Sequence, residues 1–200
     1  MKNKLMAISL LVFVLVACGT QPTPTIEQTI SPASVVTAPM SERIVYYYFV
    51  TTAENLRPEG SVVIMPDTYI LAPTTTDLIY SPDPAANLRL ALEAVLSDSR
   101  NGWTSNNLEI SGVTFKDSHA NVVLQGEYFG VSDVTLIAAK MQILMTVFAN
   151  ASVQTATITL NGDTISNMGI SISINAKPAD YVFTRAEIET FISEHAYASP

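Results

Sequence analysis

The chain opens with a basic start, a short apolar run and its only cysteine, and these features restrict what its N-terminus can be. Lys2 and Lys4 precede an apolar run from Leu5 to Val16. That run has about a dozen residues, whereas a membrane-spanning helix needs about 20. A basic start before a short apolar segment is typical of a secretory signal peptide. Residues 1–17 are therefore predicted to be a signal peptide.

The end of this segment, Leu15-Val16-Ala17-Cys18, resembles the bacterial lipobox, in which a small residue directly precedes an invariant cysteine. The resemblance implies cleavage between Ala17 and Cys18, and fatty acyl chains such as palmitate on the Cys18 lipid. Each buried CH₂ group contributes about 0.8 kcal/mol, and two chains anchor a protein stably where one does not. We expect a bacterial protein that is lipid-anchored to the cell membrane on its extracytoplasmic side. The alternative is an uncleaved anchor helix that ends at a buried cysteine.

The residues after the cysteine divide into a tether and a domain. Residues 18–41 are rich in Thr, Ser and Pro, and this composition predicts a disordered, fairly extended tether. Residues 42–200, about 160 in number, suffice for one domain with a hydrophobic core. Since this domain has no cysteine, it has no disulfide, cysteine metal site or thiol catalysis.

The charge balance is acidic and argues against nucleic-acid partners. The chain has 18 acidic and 10 basic side chains. Loss of Lys2 and Lys4 with the signal peptide would leave 8 basic side chains and a net charge of −10. Such a surface repels phosphate backbones. The acidic residues are scattered along the chain, which indicates a solvated surface.

The pattern of apolar residues predicts an α+β fold. Strands are predicted at 44–50, 61–65, 69–71, 108–115, 120–124, 153–160 and 170–174, with irregular chain after Pro73. Residues 116–119 form a hairpin turn, with a bulge at Gly112. Capping residues predict helices after Ser81-Pro82-Asp83-Pro84, after Ser132-Asp133 and at Thr184. This order predicts a mostly antiparallel sheet with two helices packed on one face, and a short C-terminal helix.

The second of these helices is apolar on most of its surface. Its main stripe is formed by Ile137, Met141, Leu144 and Phe148, and the opposite face is also apolar. A helix of this kind is predicted to lie in the core. The alternative is an exposed groove for a partner.

The element order and several short motifs resemble the GerMN (sporulation and spore germination) domain. The motifs are the Tyr-rich first strand, Ser81-Pro82, Gly102-Trp103-Thr104-Ser105, Gln142-Ile143, Ile158 to Gly162, and Met168-Gly169. One departure is Val122 to Gln125, where the family has an Asp-containing strand. The resemblance spans Tyr46 to Ile174 and implies a GerMN-like domain at 42–177. Residues 178–200 fall outside it and are predicted to be a C-terminal helical extension.

This family resemblance implies a non-catalytic module of envelope lipoproteins. Such a module would act through protein–protein contacts or assembly, in systems linked to sporulation or the cell wall. Envelope proteins are then the expected partners, with peptidoglycan as a further partner.

No catalytic motif accompanies these features, so we expect no enzyme activity, metal or cofactor. His119 is predicted to lie in the hairpin turn beside Asp117, and His195 on the terminal helix. A hydrolase is the weakest hypothesis, since the chain has no Gly-x-Ser-x-Gly sequence. The second hypothesis is glycan binding, with Trp103 stacked on a sugar ring beside the amide of Asn106. The competing interpretation folds Trp103 over the core.

Replacement of the cysteine tests the lipid anchor. Cys18→Ser should abolish incorporation of a labelled fatty acid and block normal processing of the signal peptide, because no other thiol can accept the lipid. Labelling is measured in cells that express the full chain. Unchanged labelling of the variant would refute the anchor.

Overall fold

The computed structural model describes residues 44–50, 58–65, 69–103, 107–128, 132–168 and 176–197. The predicted signal peptide, the tether, Asn106 and the strand at 170–174 lie outside these residues. Residues 39–200 form one compact unit. The α+β class predicted from the sequence is confirmed, with strands and helices in comparable proportion.

The first sheet has three antiparallel strands. Strand β1 spans Val45–Val50, β2 spans Val62–Met65 and β3 spans Tyr69–Thr75. Strand β3 lies between the other two. Its pairing with β2 ends at Leu71, whereas its pairing with β1 continues to Thr75.

The irregular stretch predicted after Pro73 is wrong, because β3 continues through this proline to Thr75. Pro73 stands opposite Tyr47 of β1. The backbone N–H of Tyr47 donates to Thr146 Oγ1 and its carbonyl accepts from Gln142 Nε2, so this pair makes no bond across the ladder. The other side of β3 has no pairing with β2 at this position. The missing N–H of proline therefore costs no ladder hydrogen bond.

The second sheet contains the remaining strands of the described residues. Strands β4 (Glu109–Lys116), β5 (His119–Gln125), β6 (Thr155–Leu160) and β7 (Asp163–Thr164) follow one another across it, and β8 (Val182–Thr184) also pairs with β6. Pairing is antiparallel except between β5 and β6. The strands are thus divided between two mostly antiparallel sheets.

The β4–β5 hairpin has the turn and bulge that the sequence predicts. Asp117 and Ser118 both have positive φ, of 51° and 63°. Two such residues between paired strands form a turn whose twist matches that of the strands. The register shifts between Ile110 and Gly112, which confirms the bulge.

The described residues contain three α-helices with side-chain N-caps. Helix α1 spans Pro84–Ser97 and is capped by Asp83, with Pro84 in its first turn. Helix α2 spans Asp133–Ala149 and is capped by Ser132. Helix α3 spans Arg185–His195, and the predicted capping box between Thr184 and Glu187 is present. Helices α1 and α2 pack on each other and on β1.

Helix α2 is buried on most of its surface, as its sequence indicates. Leu144 is 3% exposed, and Gln142, Ile143 and Val147 are fully buried. Ile137 is an exception, with 39% exposure, so its assignment to the main stripe is wrong. In the first turns of α2, the buried line passes instead through Leu136 and Ala139, which lie on the core side seven and four residues before Ile143.

The C-terminal segment connects the two sheets. Strand β8 pairs with β6 of the second sheet. After α3, Ala196 forms a β-bridge with Val62 of the first sheet, and Tyr197 N donates to Ser61 O at 3.0 Å. The region beyond residue 177 is therefore part of the same compact unit.

Arg185 caps the C-terminus of α2 from this C-terminal segment. Its Nη2 donates to Phe148 O at 3.0 Å and to Asn150 O at 2.7 Å, and its Nε donates to Val153 O at 2.8 Å. The last carbonyls of a helix lack intrahelical partners and carry partial negative charge. The Arg185 guanidinium donates hydrogen bonds to these carbonyls, because its N–H groups spread outward in one plane. Its positive charge also offsets their partial negative charge.

Removal of this cap should destabilise the domain. Arg185→Ala leaves three carbonyls without their donor, and we expect a loss of about 2–3 kcal/mol in the free energy of unfolding, measured by urea denaturation. The matched control is Arg89→Ala, which removes a half-exposed arginine paired with Glu93 on α1 and should cost less than about 1 kcal/mol. Equal losses in the two variants would contradict the capping role.

Candidate functional site

The residues singled out from the sequence do not form one site. Ala17, Cys18 and Asn106 lie outside the described residues. Trp103 is 2% exposed and belongs to the main hydrophobic core, so its ring does not face solvent. The proposed stacking of Trp103 on a sugar is therefore wrong for this structure, and the interpretation that folds Trp103 over the core holds. Its buried indole Nε1 has no hydrogen-bond partner among the described residues.

The two histidines are held in separate parts of the fold. His119 Nδ1 lies 2.9 Å from Thr155 Oγ1, and its Nε2 lies 3.3 Å from Thr157 Oγ1. His195 stacks on Phe191 with ring centroids 4.1 Å apart, and its Nδ1 lies 2.8 Å from the Phe191 carbonyl. Both ring nitrogens of His119 thus contact hydroxyls of the neighbouring strand. Neither of these contacts is with a carboxylate, which a catalytic triad would need to orient the ring.

Asp98 is a carboxylate held by two side chains. It accepts from Arg100 Nε at 2.9 Å and Nη2 at 2.7 Å, and from Tyr46 Oη at 3.1 Å. Arg100 also stacks over the Tyr48 ring at 3.7 Å, and its carbonyl accepts from Phe49 N. This cluster fixes the end of α1 to β1.

At neutral pH the Asp98 carboxylate stays ionised and the Tyr46 hydroxyl stays neutral. The hydrogen bonds from Arg100 hold the pKa of Asp98 below its ordinary value. Burial, together with the hydrogen bond to Asp98, raises the pKa of Tyr46. A carboxylate is a poor general base near neutral pH when its pKa is lowered and both of its oxygens already accept hydrogen bonds. The cluster therefore serves to position β1.

Lys140 is a partly buried amine on α2. Burial lowers its pKa. Its Nζ donates to Ser166 O at 3.2 Å, and it forms no ion pair within the part of the chain that the structure describes. The bond to Ser166 attaches α2 to the short turn that follows β7.

Gln142 is the buried polar residue that joins three segments. Its Oε1 accepts from Gly102 N at 3.0 Å and its Nε2 donates to Tyr47 O at 2.9 Å. The loop after α1 approaches α2 so closely that a Cβ on Gly102 would lie 2.7 Å from the Ala139 Cβ. Gln142 and Gly102 together therefore hold this loop against the core.

A cavity of about 200 Å³ lies between α1, α2 and the start of β1. We call it the α1–α2 cavity. Apolar wall groups come from Ile44, Leu88, Ala91 and Ala149. Small alanine side chains on the two facing helices leave this space open, because they do not fill the gap between the helix axes.

Several polar groups in the wall of the α1–α2 cavity already have partners. The Asn87 side-chain amide accepts from Ser81 N and donates to Ser81 O, both at 2.7 Å. Thr146 Oγ1 accepts from Tyr47 N, and Asn150 Oδ1 accepts from Ser152 N. Together with the apolar wall groups, these bonds favour an apolar group in the cavity, because a polar ligand that used the paired groups would have to displace internal hydrogen bonds.

Three features were not predicted from the sequence. They are the structural role of Gln142, the Asp98 cluster and the α1–α2 cavity. For Gln142 a signal was present, because a lone amide in an apolar helix must find partners when it is buried. The Asp98 cluster joins residues that lie about fifty positions apart in the chain. Such a pairing has no local signature.

Comparisons with known proteins give no assignment. No family model matches the chain, no curated protein matches it and no solved structure matches it.

No helix among the described residues has the length and hydrophobicity to cross a membrane. Within the same residues, no cluster of three or more His, Cys, Asp or Glu side chains has an arrangement suited to a metal ion.

Replacement of the buried amide should loosen the loop after α1. Gln142→Leu leaves Gly102 N–H and Tyr47 C=O unpaired, and we expect a loss of about 2–4 kcal/mol in the free energy of unfolding. Trp103, the only tryptophan, is next to Gly102, so its emission in the folded variant should move to longer wavelength. The matched control is Gln154→Leu at an exposed position, with a change below about 0.5 kcal/mol. A Gln142→Leu variant with unchanged stability and emission would contradict this role.

Proposed function

We propose that this protein is a non-catalytic bacterial envelope lipoprotein whose GerMN-like domain acts through protein–protein contacts. The observation that carries the proposal is the order of segments in one chain. A signal-like segment ends at the only cysteine, a Pro/Thr-rich stretch follows, and the compact unit comes last. Such an order suits a domain held at a membrane by a lipid and a tether.

The chemistry of the domain supports binding rather than catalysis. A general acid or base needs a titratable group that is free to exchange a proton with a substrate. The Asp98 oxygens are occupied by Arg100 and Tyr46, and the His119 ring contacts two threonines. These groups instead stabilise the fold, which leaves surface shape as the means of recognition.

A glycan-binding module is less well supported. Flat sugar rings are commonly recognised by exposed aromatic faces, and the candidate Trp103 is buried. No other observation favours this function over protein contacts.

Replacement of both histidines separates binding from catalysis. The double variant His119→Ala with His195→Ala, in the full lipidated chain, should retain the protein adducts that the wild type forms on chemical crosslinking in the bacterial envelope. It should also fold, because both rings lie at half-buried positions. A folded variant that loses every adduct and the cellular phenotype would contradict the proposal.

A second measurement addresses the cell wall. Purified peptidoglycan should not sediment the full chain, since the candidate sugar-stacking ring is in the core. Sedimentation that saturates with added peptidoglycan would favour the glycan-binding function instead.

A further inference from the structure

The α1–α2 cavity is bordered by a loop that carries the most exposed aliphatic side chain of the described residues. This rim loop comprises residues 76–81. Thr76 N donates to Ile44 O at 2.9 Å at one end, and Ser81 is held by the side chain of Asn87 at the other. Ile44 and Asn87 both line the cavity, as does Tyr80 of the loop itself. The loop therefore runs along the edge of the cavity.

Ile79 protrudes from this loop. It is 90% exposed, and its neighbour Leu78 is 49% exposed. Single exposed apolar residues are common on protein surfaces, but two adjacent ones beside an apolar cavity form a local patch. The rim loop thus offers a protruding side chain directly beside a recess.

The size and chemistry of the recess suit an aliphatic side chain. Its volume of about 200 Å³ exceeds that of a cavity of roughly 150 Å³ that takes up benzene. Several of its polar wall groups have internal partners, so an occupant gains mainly by burying apolar surface against the aliphatic wall groups. Branched aliphatic groups such as those of Ile79 and Leu78 meet both conditions.

We propose that the occupant is the rim loop of a second copy of this chain, with Ile79 of each copy in the α1–α2 cavity of the other. Because the protrusion and the recess are adjacent on one face, the two contacts form together across a two-fold axis and the assembly closes as a dimer. A recess on the opposite side of the domain would instead produce an open chain of copies. The inference specifies the partner of the protein–protein contact proposed above and rests on that function.

Anchoring would assist this pairing. A flexible tether of the length of residues 18–41 has a root-mean-square span of roughly 25–30 Å, so copies anchored in one membrane would be within reach of each other. Confinement to a surface raises the effective concentration of each copy for the other. A weak two-fold contact would then be populated in the envelope.

Disulfide trapping between two tagged copies of the full lipidated chain tests the dimer. One copy carries Leu78→Cys, which keeps Ile79, and the other carries Ala151→Cys in the exposed wall of the cavity. The lipid on Cys18 blocks the only native thiol. We expect a disulfide-linked pair that contains both tags. A Val182→Cys copy, with a cysteine at another exposed apolar position, should give no such pair with Ala151→Cys.

The contribution of Ile79 is measured in the same system. Ile79→Ser in both copies should lower the trapped fraction at least about tenfold, the change expected from the loss of a buried aliphatic side chain. Val182→Ser in both copies should leave it unchanged. Ile79 is too exposed for its replacement to unfold the domain, and urea denaturation of each variant checks this.

The outcomes distinguish this inference from the proposed function. Absence of the two-tag pair, or a pair that Ile79→Ser does not weaken, overturns the dimer. Adducts to a different envelope protein under those conditions overturn the second copy as occupant and leave the proposed function standing. Protection of Leu78→Cys from a water-soluble maleimide without any protein adduct would place the loop in the lipid bilayer, which also overturns the dimer.

Discussion

The side-chain amide of Gln142 determines how the first sheet meets the helices. It is fully buried and bonds the Gly102 N–H on one side and the Tyr47 carbonyl on the other. A buried amide is costly unless its donor and acceptor are paired, so these bonds specify a single packing of the loop, α2 and β1. This packing also affects β3. Pro73 is tolerated there because Tyr47, which stands opposite it in β1, bonds to α2 and not to β3.

Local signals in the sequence predicted the local structure well. The N-caps of the helices, the capping box at Thr184 and the hairpin turn at Asp117 and Ser118 depend on neighbouring residues, and each is present. The division of the strands into two sheets and the cap that Arg185 places on α2 depend on residues far apart in the chain. Ile137 was misassigned because an almost uniformly apolar helix has no sequence periodicity to show which side lies outward.

The candidate site could be predicted only in part for the same reason. Trp103 and the histidines attract notice as residue types, but their burial and partners decide their roles, and these arise from tertiary packing. The α1–α2 cavity is defined by alanines on two helices, which carry no chemical signature. Its significance comes from the position of Ile79 beside it and from the internal hydrogen bonds of its polar wall.

The position of the C-terminal segment, which contains β8 and α3, has a consequence for the order in which the protein matures. Under the proposed function, the chain would be exported with its N-terminal part ahead of its C-terminal part, so the lipid acceptor predicted at Cys18 would emerge before residues 182–197. Until they emerge, α2 lacks the Arg185 cap and β2 lacks its bridge to Ala196. The proposed lipoprotein would then complete its fold only after residues 182–197 have left the translocation channel, while the predicted lipid already holds it at the membrane surface.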